Sequence, residues 1–246
     1  MRNLHYYILA AFLALSGFAQ ASAQNYSEYY VYAEEAREMS MLFRGKEGIN
    51  YPFAYNGTYF WYQRTFTPGD VFYNGKLYRD IYVNVNAHTQ DLQVKQSPSL
   101  MPVVADRDYV DWFTMDSKMY VNLVKRGLPE ASEGFYEVLY EGDAALYKRV
   151  DKIIRKDPNN KNGAAIGYND PNYNDKVYDY FACRTQYYFL KDGIWTQVKG
   201  VSALVKSYPS HKKGLKRFIK STGLDKKMDF DQLGALVLKQ VENESD

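Results

Sequence analysis

The chain has 246 residues, with 31 Lys+Arg against 29 Asp+Glu, three histidines and one cysteine. A formal charge of +2 gives no global attraction to nucleic acid. A lone cysteine leaves no intramolecular disulfide framework and no Cys-built zinc site. The outlier is an aromatic content of 17%, including 25 tyrosines, which directs attention to sheet structure.

The first segment reads as an address. Arg2 supplies a positive start, 6–15 (YYILAAFLAL) an apolar core, and Ala21-Ser22-Ala23 a small-residue cleavage pattern before Gln24. The apolar run is shorter than the roughly 20 residues a membrane span needs, and no Cys near the cleavage point offers lipid attachment. The expectation is a signal peptide over 1–23, then a β-rich body over 24–200 and a C-terminal helical segment over 201–246. An exported chain without disulfides suits the periplasm or cell surface of a Gram-negative bacterium. No later run approaches spanning length, and the charged 242–246 end follows a helical pattern, so neither a transmembrane span nor an outer-membrane barrel is expected in the mature chain.

From 27 to 43 the pattern is ambiguous, with helix-favouring 34–38 after a tyrosine-rich stretch. Hairpin signals follow. Asn56-Gly57 separates YPFAY from TYFWY, Asn74-Gly75 separates VFY from KLY, and Asp192-Gly193 separates QYYFLK from IWTQV. Such pairs fit the two positive-φ positions of a type I′ turn. A further hairpin is expected around Glu141-Gly142-Asp143. Over 77–85 the odd positions read Leu, Arg, Ile, Val, Val and the even ones Tyr, Asp, Tyr, Asn, predicting one apolar and one tyrosine-lined face. Other strand candidates are 92–95, 101–104, 109–115, 118–124 and 177–190, with a long polar loop at 157–175. After Gly200 the spacing turns helical. One helix is expected from Ser210 or His211 through Leu215, Phe218 and Ile219, another from Asp229 or Asp231 carrying Leu233, Leu236, Val237 and Val241. The predicted fold is mainly β (α+β): an antiparallel meander, curved sheet or sandwich built from hairpins, with C-terminal helices.

The segments 42–45 (LFRG), 55–58 (YNGT), 71–78 (VFYNGKLY), 134–142 (GFYEVLYEG) and 189–193 (FLKDG), followed by the Lys-rich helices, resemble an uncharacterised family of exported, β-rich envelope proteins of Bacteroidota-type bacteria. The likeness extends over nearly all of the mature chain. It implies an envelope location and a mostly β fold, and it carries over no catalytic or binding residue.

Standard catalytic constellations are missing from the sequence. It contains no phosphate-binding glycine loop, no G-x-G-x-x-G and no H-E-x-x-H. Gly200-Val201-Ser202-Ala203-Leu204 starts like a nucleophile elbow but lacks the second glycine. Removing 1–23 leaves His88 and His211, too few for a multi-histidine metal site, and no cofactor or metal is expected. Cys183 shares parity with Val177, Phe181, Tyr187 and Phe189, predicting an inward thiol rather than a nucleophile. Asp106, Asp108, Asp111 and Asp116 offer paired carboxylates for glycan hydrolysis, against a simpler role in a polar turn. The 170–175 stretch begins like a calcium loop but lacks its glycine and terminal glutamate.

Two surface features remain. In Tyr59-Phe60-Trp61-Tyr62, a strand would set Tyr59 and Trp61 on one face, and together with Trp112 they form the candidate aromatic binding surface for a protein partner or sugar, against the simpler reading of cross-strand packing in a tyrosine-rich sheet. Lys212, Lys213, Lys216, Arg217 and Lys220 form a candidate basic patch, against the reading of a solvated helix face. The function expected is a non-enzymatic binding or scaffolding module whose partner is an envelope protein or glycan. The alternatives are a carboxylate-dependent glycan hydrolase and a small-ligand carrier.

Overall fold

The computed structural model describes residues 40–49, 51, 55–156, 179–225 and 229–244. Its strands are β1 (Tyr55–Asn56), β2 (Thr67–Tyr73), β3 (Lys76–Asn86), β4 (Asp91–Lys95), β5 (Val103–Val104), β6 (Val110–Met115), β7 (Lys118–Val121), β8 (Tyr136–Glu141), β9 (Ala144–Lys156), β10 (Asp179–Lys191) and β11 (Ile194–Val198). The helices are α1 (Val201–Lys206), α2 (Lys212–Ser221) and α3 (Phe230–Asn243). The strands form a single sheet in the order β1-β10-β9-β8-β7-β6-β2-β3-β4-β5, with β11 also on β10. Two meanders explain that order: β2 to β5 and β6 to β11 each run in chain order and join where β2 lies beside β6. The fold is mainly β, an open and almost wholly antiparallel sheet with C-terminal helices, as the hairpin spacing predicts.

Turn chemistry sets the registers. Asn74 and Gly75 take φ of 49° and 74°, and Asp192 and Gly193 take 51° and 75°, placing Tyr73 opposite Lys76 and Lys191 opposite Ile194. The 141–143 turn pairs Glu141 with Ala145. Asp116 and Ser117 adopt the same positive-φ pair, at 52° and 60°, and close β6 onto β7 without a glycine.

Asn56-Gly57 does something else. Tyr55 and Asn56 pair in parallel with Asp179 and Tyr180, and Phe60 then bridges to Asn86, so the glycine turns the chain between two parts of the sheet instead of closing a hairpin. The expected alternation over 77–85 also breaks. Asp80 sits at φ 54° inside a bulge opposite the 69–71 segment, so Tyr78 faces the core before it and Ile81, Val83 and Val85 after it. The expected helical stripe needs a related correction. On α3 the buried residues are Phe230, Leu233, Gly234, Val237, Leu238 and Val241, with Leu236 half-buried. The stripe passes through Gly234, whose missing side chain is replaced by Leu146 Cδ2, 2.6 Å from where a Cβ would stand. The 27–39 and 157–175 segments lie outside the described residues.

The sheet curls. The Trp61 N–H donates to Val85 O (3.0 Å), the Ala87 N–H to Tyr59 O (2.8 Å) and the Lys152 N–H to Ala87 O (2.9 Å), bringing β9 back towards the β3–β4 turn. Buried Gln90 joins both sides by donating to Ala87 O (3.0 Å) and Val150 O (2.8 Å). Val71, Val83, Val94, Phe113, Tyr120 and Val150, from six different strands, meet inside this curve. The same sheet face continues under the helices, where Leu146 and Phe189 pack on Leu204, Leu215, Leu233 and Val237. The opposite face carries Tyr136, Tyr147, Tyr188 and Trp195, covered in part by Leu123, Leu128 and Ala131.

Candidate ligand groove

Burial of Val201 and Val205 on α1 and of Leu215 and Ile219 on α2 fixes the two helices against the sheet. Between them lies a groove of about 740 Å³, within the range of small-molecule sites. Val201, Val205, Ile219 and Leu224 form its apolar floor, and Lys206, Lys212, Lys216 and Lys220 stand along it. The last three follow i, i+4, i+8 spacing and therefore share one face of α2. Their methylene stems supply apolar wall while the ammonium groups reach solvent. Among the described residues the ammonium groups of these four lysines have no hydrogen-bond or ion-pair partner. No carboxylate among the described residues lines the groove. Of the expected basic patch, Lys212, Lys216 and Lys220 are brought together here, joined by Lys206 from α1. Lys213 and Arg217 are exposed on α2 outside the groove lining.

A second polar assembly lies where the sheet meets α3. Glu137 is only 3% exposed; it accepts from the Tyr62 hydroxyl and pairs with Lys118 at 2.9 Å and Lys148 at 3.8 Å. Lys148 also donates to Tyr62 Oη at 3.1 Å and pairs with Asp231, which accepts from the Tyr187 hydroxyl at 2.6 Å. Two cations thus meet two anions, leaving no net charge for a ligand. Burial, then the Glu137 carboxylate, pushes the Tyr62 phenol up to about 12. Burial opposes the charge of Lys118, but Glu137 overrides it and raises the ammonium pKa. At the other end of α3, Glu242 accepts from the Tyr140 hydroxyl and from the Asp143 N–H (3.1 Å), which together lower its carboxyl pKa. This assembly clamps α3 to the sheet at both ends. Sequence reading passed over Glu137 and Lys148, yet strand parity marks both: Lys148 shares a face with Leu146 and Val150, and Glu137 has the parity of Phe135 and Leu139.

The candidate aromatic surface is not assembled. Tyr59 joins Tyr51, Phe60 and Phe181. Trp61 is 2% exposed and packs edge-on to Tyr120 at 5.4 Å, so it is a core ring and offers no surface. Trp112 stacks on Phe72 at 5.8 Å on the other side of the sheet. The segment bends after Phe60 instead of continuing as a strand, which is why Phe60 and Trp61 are both buried.

Cys183 also departs from expectation: its thiol is exposed. The helices cover β10 at Tyr187 and Phe189 and ring contacts cover Phe181, but among the described residues no such layer covers 183–185 between them. His88 Nδ1 bonds Lys152 O at 2.7 Å and His211 pairs with Glu244, so neither imidazole is given over to the thiol. Among the acids, Asp106 accepts from the Asp108 N–H, Asp111 pairs with Lys125 at 3.0 Å, and Asp116 forms a turn. The 170–175 stretch lies outside the described residues. Among the described residues no cluster of three His, Cys, Asp or Glu is arranged to hold a metal, and no helix is long and apolar enough to cross a membrane.

No family model, no curated protein and no solved structure matches the chain.

Proposed function

We propose that the chain is an exported cell-envelope protein acting as a non-enzymatic binding module, with the helical layer as its ligand-bearing side and the curved sheet as its rigid support. The observation that carries this reading is the α1–α2 groove, where an apolar floor and lysines without carboxylate partners among the described residues lie together. The same opening favours the small-ligand carrier among the alternatives. The hydrolase alternative draws no support from Asp106, whose carboxylate caps the Asp108 N–H, or from Asp111, which pairs with Lys125. Export rests on the charged start, short apolar core and A-x-A pattern of 1–23.

Three measurements test the proposal. Intact mass and N-terminal sequencing of the protein from fractionated cells should find it outside the cytoplasm beginning at Gln24; a cytoplasmic chain retaining its leader would overturn export. Crosslinking and co-purification from native envelopes should return a bound partner or ligand. Glycan turnover that disappears in a folded D106N/D108N/D111N variant would replace the module with an enzyme.

A further inference from the structure

The electrostatics of α2 are poorly arranged for a helix that merely faces water. Its sequence, KKGLKRFIKS, contains no acid to pair with its cations. Lys212 and Lys216, and Lys216 and Lys220, are like charges at i, i+4 spacing, which destabilises a helix. Lys212 and Lys213 also place positive charge at the N-terminal end, where the backbone dipole is already positive. The nearby carboxylate of Glu244 approaches His211 and Gly214 and does not line the groove. An anion seated among Lys206, Lys212, Lys216 and Lys220 would relieve the repulsion along the 212–216–220 row.

The floor narrows the class of anion. Inorganic phosphate would satisfy the ammonium groups and leave half-buried Leu224, with the groove-facing edges of Val201, Val205 and Ile219, turned to water. A bilayer surface would meet the exposed cations but cannot descend to Val201, Val205 and Ile219, recessed between two helices and all three buried. A single alkyl chain can. The lysine row spans eight residues of α2, about 12 Å at helical rise, enough for a head group at one point and a chain running beside it. Several ammonium groups around one head suit a dianion better than a monoanion, and lysine is a common phosphate partner.

Resting on the binding-module reading, we infer that the α1–α2 groove binds a single-chain amphiphile with a phosphomonoester head, its phosphate held by the lysine row and its alkyl chain laid on the Val201–Val205–Ile219 floor. The probes are decyl phosphate, decylphosphocholine and inorganic phosphate, each titrated calorimetrically into the full mature chain below its micelle-forming concentration. Decyl phosphate should bind and raise the thermal midpoint, since selective binding to the native state stabilises it. The zwitterion and the bare ion should each bind at least tenfold more weakly. Doubling as a test of charge, K216Q/K220Q should weaken decyl phosphate about tenfold or more and flatten its salt dependence. S202W, at an exposed position lining the groove, should abolish binding by filling the chain's path while leaving every lysine in place.

Equal binding of decylphosphocholine, equal binding of inorganic phosphate, or full affinity in folded S202W would each overturn the assignment. Envelope crosslinking of the same proteins separates it from the broader reading. A wild type that ignores decyl phosphate yet captures its partner removes the ligand and leaves the module.

Discussion

Glu137 is the residue on which the charge network turns, because it is the most buried of the four charged groups and contacts Lys118, Lys148 and the Tyr62 hydroxyl. Removing one member of a buried pair strands the other, which costs about 3–5 kcal/mol. Glu137→Ala leaves Lys148 in a buried setting with Asp231 as its remaining anion. A loss of stability of about 3–5 kcal/mol is therefore expected, lowering the thermal midpoint on the order of 10 °C for a chain of this size. Asp111→Ala breaks an ion pair in which both side chains are roughly 30% exposed, and its cost should stay within about 1 kcal/mol. Equal midpoints for the two variants, measured by calorimetry, would mean that water reaches Glu137. Both key charges were legible in principle, since a charged residue at an inward parity position has to be paired. What the sequence could not supply was the partner: Tyr62 and Asp231 come from distant segments, and only the folded sheet brings them to Glu137 and Lys148.

At the scale of elements, local turn chemistry was readable where both turn residues answer to their immediate neighbours. Asn74-Gly75 and Asp192-Gly193 need only positive φ and two strands of suitable composition. Asn56-Gly57 carries the same dipeptide, but its β1 side pairs with β10, far away in the chain, and that choice belongs to the curl of the whole sheet. Asp116-Ser117 shows the converse, a type I′ arrangement without glycine. A non-glycine residue in the left-handed region pays roughly 1–2 kcal/mol, so Ser117→Gly should stabilise the chain by about 1 kcal/mol in denaturant unfolding, with Asp116 kept. A destabilising result would show that Ser117 is held by something other than turn geometry. Gly69 makes the opposite case. A Cβ there would stand 1.9 Å from the backbone oxygen of Thr114, where β2 and β6 join the two meanders, and backbone has no rotamer with which to yield. Gly69→Ala is expected to cost about 3 kcal/mol; an unchanged midpoint would place the β2–β6 junction further apart.

For the whole molecule, tyrosine chemistry sets the pH range of stability. Burial and neighbouring carboxylates raise the phenols of Tyr62 and Tyr140 to about 12, and those of Tyr120, Tyr147 and Tyr187 further still. These groups come from the core of the curve, from both faces of the sheet and from its contacts with α3, so their protonation is distributed over the fold. The folded state holds its phenolic protons more tightly than the unfolded chain, whose tyrosines ionise near 10. The resulting stabilisation is complete below about pH 10 and is lost as pH rises through the folded values near 12. At the acid end the sign reverses: Glu242, lowered by Tyr140 and the Asp143 N–H, contributes above the ordinary carboxylate range and ceases to do so as pH falls through its lowered value. An absorbance titration at 295 nm should accordingly show exposed tyrosines ionising smoothly near pH 10, followed by a cooperative step that coincides with loss of near-ultraviolet dichroism. If instead every tyrosine ionises in one smooth curve near 10 while dichroism persists, the phenols are solvated and the sheet is not held together through them.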